Sequence, residues 1–112
     1  MPIVRALQPG DFDAWLPLWK GYLEFYETEL EDEITRHTFD RLLDESVNMF
    51  GALALNDDGE AVGMVNWLTH PGTWSRGQYV YLEDLFVSPK ARGTGAGRAL
   101  IEHVQAWAEA AG

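Results

Sequence analysis

The 112-residue chain contains no cysteine, which excludes both a disulfide framework and a thiolate metal site. Its three histidines, His37, His70 and His103, lie far apart and match no metal-ligand spacing, so no metal is expected. Cations are scarce: 8 lysines and arginines stand against 18 aspartates and glutamates, a formal net charge of −10. So acidic a chain argues against the basic patches that meet nucleic-acid phosphates. Two readings of the charge stay open: it attracts cationic partners or substrates, or it only aids solubility. No apolar run approaches the roughly 18 residues of a membrane helix. The N-terminal "MPIVRALQPGDFDAW" lacks the charged-then-apolar order of a leader. Together these absences predict a soluble, cytoplasmic protein with neither nucleic acid nor membrane as partner.

The apolar content is ample for a core, at 46% with five tryptophans, and the length suits one domain, residues 1–112. Ile3 to Leu7 reads as a first strand. Pro9 and Gly10 break it, and Asp11 is placed to cap a helix. From Asp11 to about Leu30 the apolar residues Trp15, Leu18, Trp19, Tyr22, Leu23, Phe25 and Tyr26 fall at helical spacing. Pro17 is tolerable there only near the first turn or at a kink. An acidic cluster from Glu27 to Glu33 precedes a second helical segment, "TRHTFDRLLDES", with Phe39, Leu42 and Leu43 inward. "MFGALAL" and "EAVGMVNWLT" read as strands joined by the turn "NDDGE". A polar loop "HPGTWSRG" leads to the strand "QYVYLEDLFV". After "SPKARGTG" comes a last helix, "AGRALIEHVQAWAEAAG", striped by Leu100, Ile101, Val104, Trp107, Ala108 and Ala111. The predicted order is β-α-α-β-β-β-α, an α/β domain with a mostly antiparallel sheet whose last strand is left as an open edge.

The stretch "ARGTGAGRAL" is a glycine-rich turn between a strand and a helix. A Walker loop needs four residues between its glycines and then Lys-Ser/Thr, and Gly93 and Gly97 enclose three before Arg98. The dinucleotide pattern fails as well, because it needs glycine where Arg98 or Leu100 stands. What remains is Arg92-x-x-Gly95-x-Gly97. Small residues let backbone N–H groups approach an anion, and a helix N-terminus adds its positive end. Arg92 and Arg98 bring cationic charge to the same corner. The competing reading is a strand-to-helix turn with no ligand.

"VYLEDLFVSPKARGTGAGRALIEHV" resembles motif A of the GNAT superfamily of N-acetyltransferases: a strand, then R/Q-x-x-G-x-G/A, then a helix. "YLEDLFV" is similar to the branch that acetylates polyamines, other small amines and protein lysines. The resemblance implies a GNAT fold and acetyl-CoA as cosubstrate, with its pyrophosphate on Arg92, Gly93, Thr94, Gly95, Ala96, Gly97 and Arg98. It implies that Leu85, Phe86 and Val87 pair their backbone with the pantetheine arm, and that an N–H there stabilises the developing oxyanion. An alkylammonium, with a pKa near about 10, must lose a proton before it attacks. Glu83 matches the position of a glutamate proposed as base in the polyamine branch, and Asp84 is the second choice. Strict alternation places the two on opposite faces, and a bulge would alter that. Either carboxylate has a purely structural alternative. Trp19, Tyr22 and Tyr26 are read as lining an amine groove, against core packing as the simpler alternative. The acidic run beside them is read more simply as a solvated loop.

The family continues past this helix with a further strand, helix and strands, usually including a tyrosine that protonates the leaving thiolate. The present sequence stops at Gly112. The expectation is a GNAT fold truncated after the motif A helix, and a homodimer through the open edge. A non-catalytic acyl-CoA-binding or self-assembling fragment is the alternative to an active N-acetyltransferase.

Overall fold

In the computed structural model, which describes residues 2–74 and 76–111, the apolar segments take the predicted order. They form β1 (Ile3–Ala6), α1 (Phe12–Phe25), α2 (Asp32–Leu43), β2 (Met49–Leu55), β3 (Ala61–Pro71), β4 (Gln78–Val87) and α3 (Ala96–Ala111). Short 3-10 turns at Pro9–Asp11 and Pro89–Ala91 lead into α1 and into the glycine turn.

Helix α1 stops at Phe25, short of the predicted Leu30. Beyond it Glu27, Glu29 and Glu31 bring negative charge to the negative end of a helix, where it is disfavoured. Glu27 instead takes φ 52°, and the Thr28 N–H turns back to the Leu23 carbonyl at 2.9 Å. The same acidity starts α2 early, at Asp32 rather than Thr35, because Asp32 and Glu33 are favoured in a first turn. His70 and Pro71, expected in the loop, extend β3, with Pro71 opposite Gln78 at the strand end where its missing N–H costs little.

The sheet has the order β1-β2-β3-β4 with every neighbouring pair antiparallel, so β4 is one of its two edge strands. Alternation along the strands divides two cores. Leu53 and Met64 face Trp15, Leu18 and Trp19 of α1 and Phe39 and Leu42 of α2. Ala52, Ala54, Val65 and Trp67 face Ala96, Leu100 and Val104 of α3. Met64 and Val65, adjacent in sequence, are both fully buried on opposite faces. Each such side chain contributes about 1.5–3 kcal/mol of burial. The α3 seam runs through Ala96, Leu100, Val104 and Trp107, whereas Ile101, predicted inward, is 40% exposed.

Candidate active site

The register between β3 and β4 decides where the two candidate carboxylates point. Val65 faces Leu85 and Asn66 faces Asp84, but Trp67 faces Leu82. Glu83 is therefore the extra residue of a β-bulge. Val80 and Leu82 lie on the α3 side before it, Leu85 and Val87 on the same side after it. Parity changes at Glu83, and Phe86 packs on the α1 side. Strict alternation thus does not hold across Glu83 and Asp84, because the register shifts there. Glu83 is exposed and Asp84 half-buried.

Tyr22 stands over Asp84. Burial, then a hydrogen bond to Asp84, then the negative charges of Asp84, Tyr26 and Glu83, push its phenol well above the ordinary tyrosine value. It is therefore a protonated phenol at neutral pH. From the neighbouring strand Asn66 Nδ2 donates to Asp84 Oδ2 at 3.1 Å. Asn66 thus holds Asp84 from within the sheet. Among the described residues no hydrogen bond or ion pair engages the Glu83 carboxylate. One carboxylate is fixed and its neighbour is free to meet a ligand.

The aromatic residues along α1 and Tyr26 at its end follow one another in ring contact. Ring centroids are 5.1 Å apart for Trp15–Trp19, 5.7 Å for Trp19–Tyr22 and 4.9 Å for Tyr22–Tyr26. Trp19 is 5% exposed and its Nε1 donates to Thr35 Oγ1 at 3.1 Å, so it leaves no face for an amine and packs in the core. Tyr22 is half-buried and feels the charge of Asp84, and Tyr26 is 60% exposed beyond it.

The glycine turn begins where β4 ends. Gly93 and Gly95 both have φ +89°, and a Cβ on either would meet open space. The Thr94 N–H and hydroxyl both donate to the Ala91 carbonyl, at 3.2 and 2.6 Å, which closes the turn. The first bond of α3 runs from Ala99 N–H to the Gly95 carbonyl at 2.9 Å. The N–H groups of Ala96, Gly97 and Arg98 precede it and have no intrahelical partner. They form the positive end of a 16-residue helix beside the exposed Gly93 and Gly95. Arg92 is anchored by Nε to the Val87 carbonyl at 3.2 Å, and exposed Arg98 pairs with Glu102 at 3.2 Å. The residues present fit a diphosphate: free N–H groups, room for close approach and two cations.

Leu85, Phe86 and Val87 connect carboxylates to turn. They pair with Val65, Met64 and Gly63 on one edge, and among the described residues no strand covers the other. Phe86 lies beneath Gly21 of α1 and helps line an open groove of about 1050 Å³ that reaches Ser88, Lys90 and Thr94. Sequence reasoning missed Asn66. Its signal was a lone amide between Val65 and Trp67 in an otherwise apolar strand.

The strand, its bulge and the glycine turn at a helix start form the arrangement that the sequence resemblance implied. The Acetyltransferase (GNAT) family profile matches residues 13–112. The chain belongs to this family of acetyltransferases. D-amino-acid N-acetyltransferase HPA3 from Saccharomyces cerevisiae is 40% identical over 111 residues, 98% of this chain and 69% of that protein. Aminoglycoside N(6′)-acetyltransferase type 1 from Stenotrophomonas maltophilia is 37% identical over 115 residues, 99% of this chain and 70% of that protein. Among solved structures, aminoglycoside N-acetyltransferase AAC(6′)-Iy in complex with CoA superposes with a TM-score of 0.83 at 22% identity, over 100% of this chain and 72% of that one. That likeness establishes the fold.

Proposed function

We propose that the chain moves an acetyl group from acetyl-CoA to a primary amine, of polyamine, small-amine or lysine type, by direct attack in a ternary complex. The observation that carries the proposal is the bulge: it leaves Glu83 exposed and unengaged on the strand that runs into the cradle. Acetyl-CoA supplies the activated thioester. The N–H groups of Ala96, Gly97 and Arg98, with the arginines, hold its pyrophosphate. The free backbone edge at Leu85 to Val87 orients the arm and offers an N–H where negative charge develops. Glu83 takes the ammonium proton directly or through water, and Asp84 is the second candidate for that role. Tyr22 and Tyr26 present ring faces and a phenol to the cation. The relatives' names, with D-amino acids and aminoglycosides as acceptors, support nitrogen of a small molecule as the target.

The test is thiol release from acetyl-CoA with a panel of a polyamine, a lysine peptide, an aminoglycoside and a D-amino acid, in wild type and Glu83→Gln. The variant is expected to lose about 10²–10⁴-fold in turnover with acetyl-CoA binding retained. Unchanged turnover would remove Glu83 as the base. Absence of both acetyl-CoA binding and turnover in the wild type would overturn the proposal.

A further inference from the structure

Asn66 lies between Val65 and Trp67 in the middle of β3 and is 3% exposed. Its Nδ2 reaches Asp84 Oδ2 at 3.1 Å and Met64 Sδ at 3.8 Å, while its Oδ1 has no partner among the described residues. A buried acceptor without a partner opposes folding, so packing does not account for an amide at this position. Opposite Asn66 on β2 stands Gly51, where a Cβ would come within 3.2 Å of the Asn66 Oδ1 and 3.1 Å of Leu7 Cδ2. The slot on the β2 side is full without any side chain at 51. The strong hydrogen bond Asn66 makes is directed the other way, to β4. Because Nδ2 can only donate, it presents Asp84 with a donor of fixed position.

The register places this contact at the bulge itself. Asn66 opposes Asp84, and the next residue, Trp67, already opposes Leu82. With Asp84 pinned from the sheet by Asn66, the slack of the extra residue falls on Glu83. We infer that Asn66 is a positioning residue of the transfer site, holding the Asp84 carboxylate in place at the bulge and thereby keeping Glu83 turned out toward the acceptor. The inference rests on the proposed role of Glu83. An apolar residue at 66 would leave Asp84 one donor short and let the bulge redistribute along the strand.

The experiment compares Asn66→Leu and Asn66→Ser, the second retaining a donor, in the wild-type and Asp84→Ala backgrounds of the full chain. Asn66→Leu is expected to lower kcat by about tenfold to a hundredfold with KM for acetyl-CoA unmoved, and Asn66→Ser to lose less. In the Asp84→Ala background Asn66→Leu is expected to cost under about twofold, since its target is gone. Equal losses in both backgrounds, or a loss confined to KM for acetyl-CoA, would overturn the inference. Melting curves identify a variant that fails to fold, in which case Asn66→Ser carries the comparison. A second readout needs no turnover: the ¹³Cζ resonance of Tyr22, assigned with Tyr22→Phe. Asn66→Leu should move it in the same direction as Asp84→Ala, and an unmoved resonance would overturn the clamp. A moved resonance in a protein that acetylates no amine would uphold the clamp and refute the transfer reading alone.

Discussion

Gly21 offers a perturbation whose sign the local sequence and the packing dispute. It lies within α1, and in a helix interior alanine is favoured over glycine by about 1 kcal/mol. Considered as an isolated helix, Gly21→Ala should stabilise. In the folded protein the new Cβ would stand 2.7 Å from Phe86 Cζ and 2.8 Å from Cε2. Relaxed carbon contacts lie near 3.5–4.0 Å, so the ring must retreat by about 1 Å. Overpacking of this kind costs about 1–3 kcal/mol. Setting the helix gain against it leaves a net destabilisation of up to about 2 kcal/mol. Thermal unfolding should register a fall in Tm of up to about 8 °C. Phe86→Leu in the same background should recover part of the loss, with a coupling above about 0.5 kcal/mol between the two positions. The displaced ring also borders the proposed pantetheine strand, so KM for acetyl-CoA should rise in Gly21→Ala. A rise in Tm of the size expected for a free helix, or strict additivity with Phe86→Leu, would refute the reasoning.

Gly95→Ala meets no atom but forces φ +89° on a residue with a Cβ, a strain of about 1–3 kcal/mol. It should weaken acetyl-CoA binding in calorimetric titration, while Gly10→Ala, equally open and without the positive φ, should melt within about 0.5 kcal/mol of wild type. Thr35→Val strands the buried Trp19 N–H and should cost about 1–3 kcal/mol in denaturant unfolding without changing KM for the amine. A changed amine KM would return Trp19 to the acceptor site. Asp11 has its pKa lowered by hydrogen bonds from Arg5 first, with the Gln8 N–H and the Arg5 charge adding and burial opposing. A depressed folded pKa means stability that is present above the unfolded value of about 3.9 and lost as pH falls through the folded one. The stability gap between wild type and Asp11→Asn should therefore be flat above about pH 5 and close below about pH 4; a gap that persists to about pH 2 would contradict this assignment.

Much of the fold was readable because its signals are local. β2 and β4 occupy the segments their apolar and β-branched residues marked, and the glycine turn announces the start of α3. The helix ends were displaced by charge: the same acidic run that shortens α1 lengthens α2, an effect that apolar spacing does not register. Trp19 and Tyr22 look alike on a helical projection. What separates them is the distant hydroxyl of Thr35, which draws Trp19 inward, and the β4 carboxylates, which engage Tyr22. Whether a bulge interrupts the strand could not be decided from sequence for a related reason. It exists in the pairing of Asn66 and Trp67 on β3 against Asp84 and Leu82 on β4, and no periodicity within "YLEDLFV" carries it. Asn66 stood out only as an amide in apolar company, with no motif to give it a task.

The parity change at Glu83 means that β4 is written in two reading frames. Leu82 in the first and Leu85 in the second both face α3. Remove Glu83, and the remaining residues fall into one uninterrupted alternation with every apolar side chain still on its own face. The packing of the sheet has no use for this residue. The fold and the proposed chemistry are thus separable at a single position, where a deletion that the alternation would absorb takes away the carboxylate proposed as base.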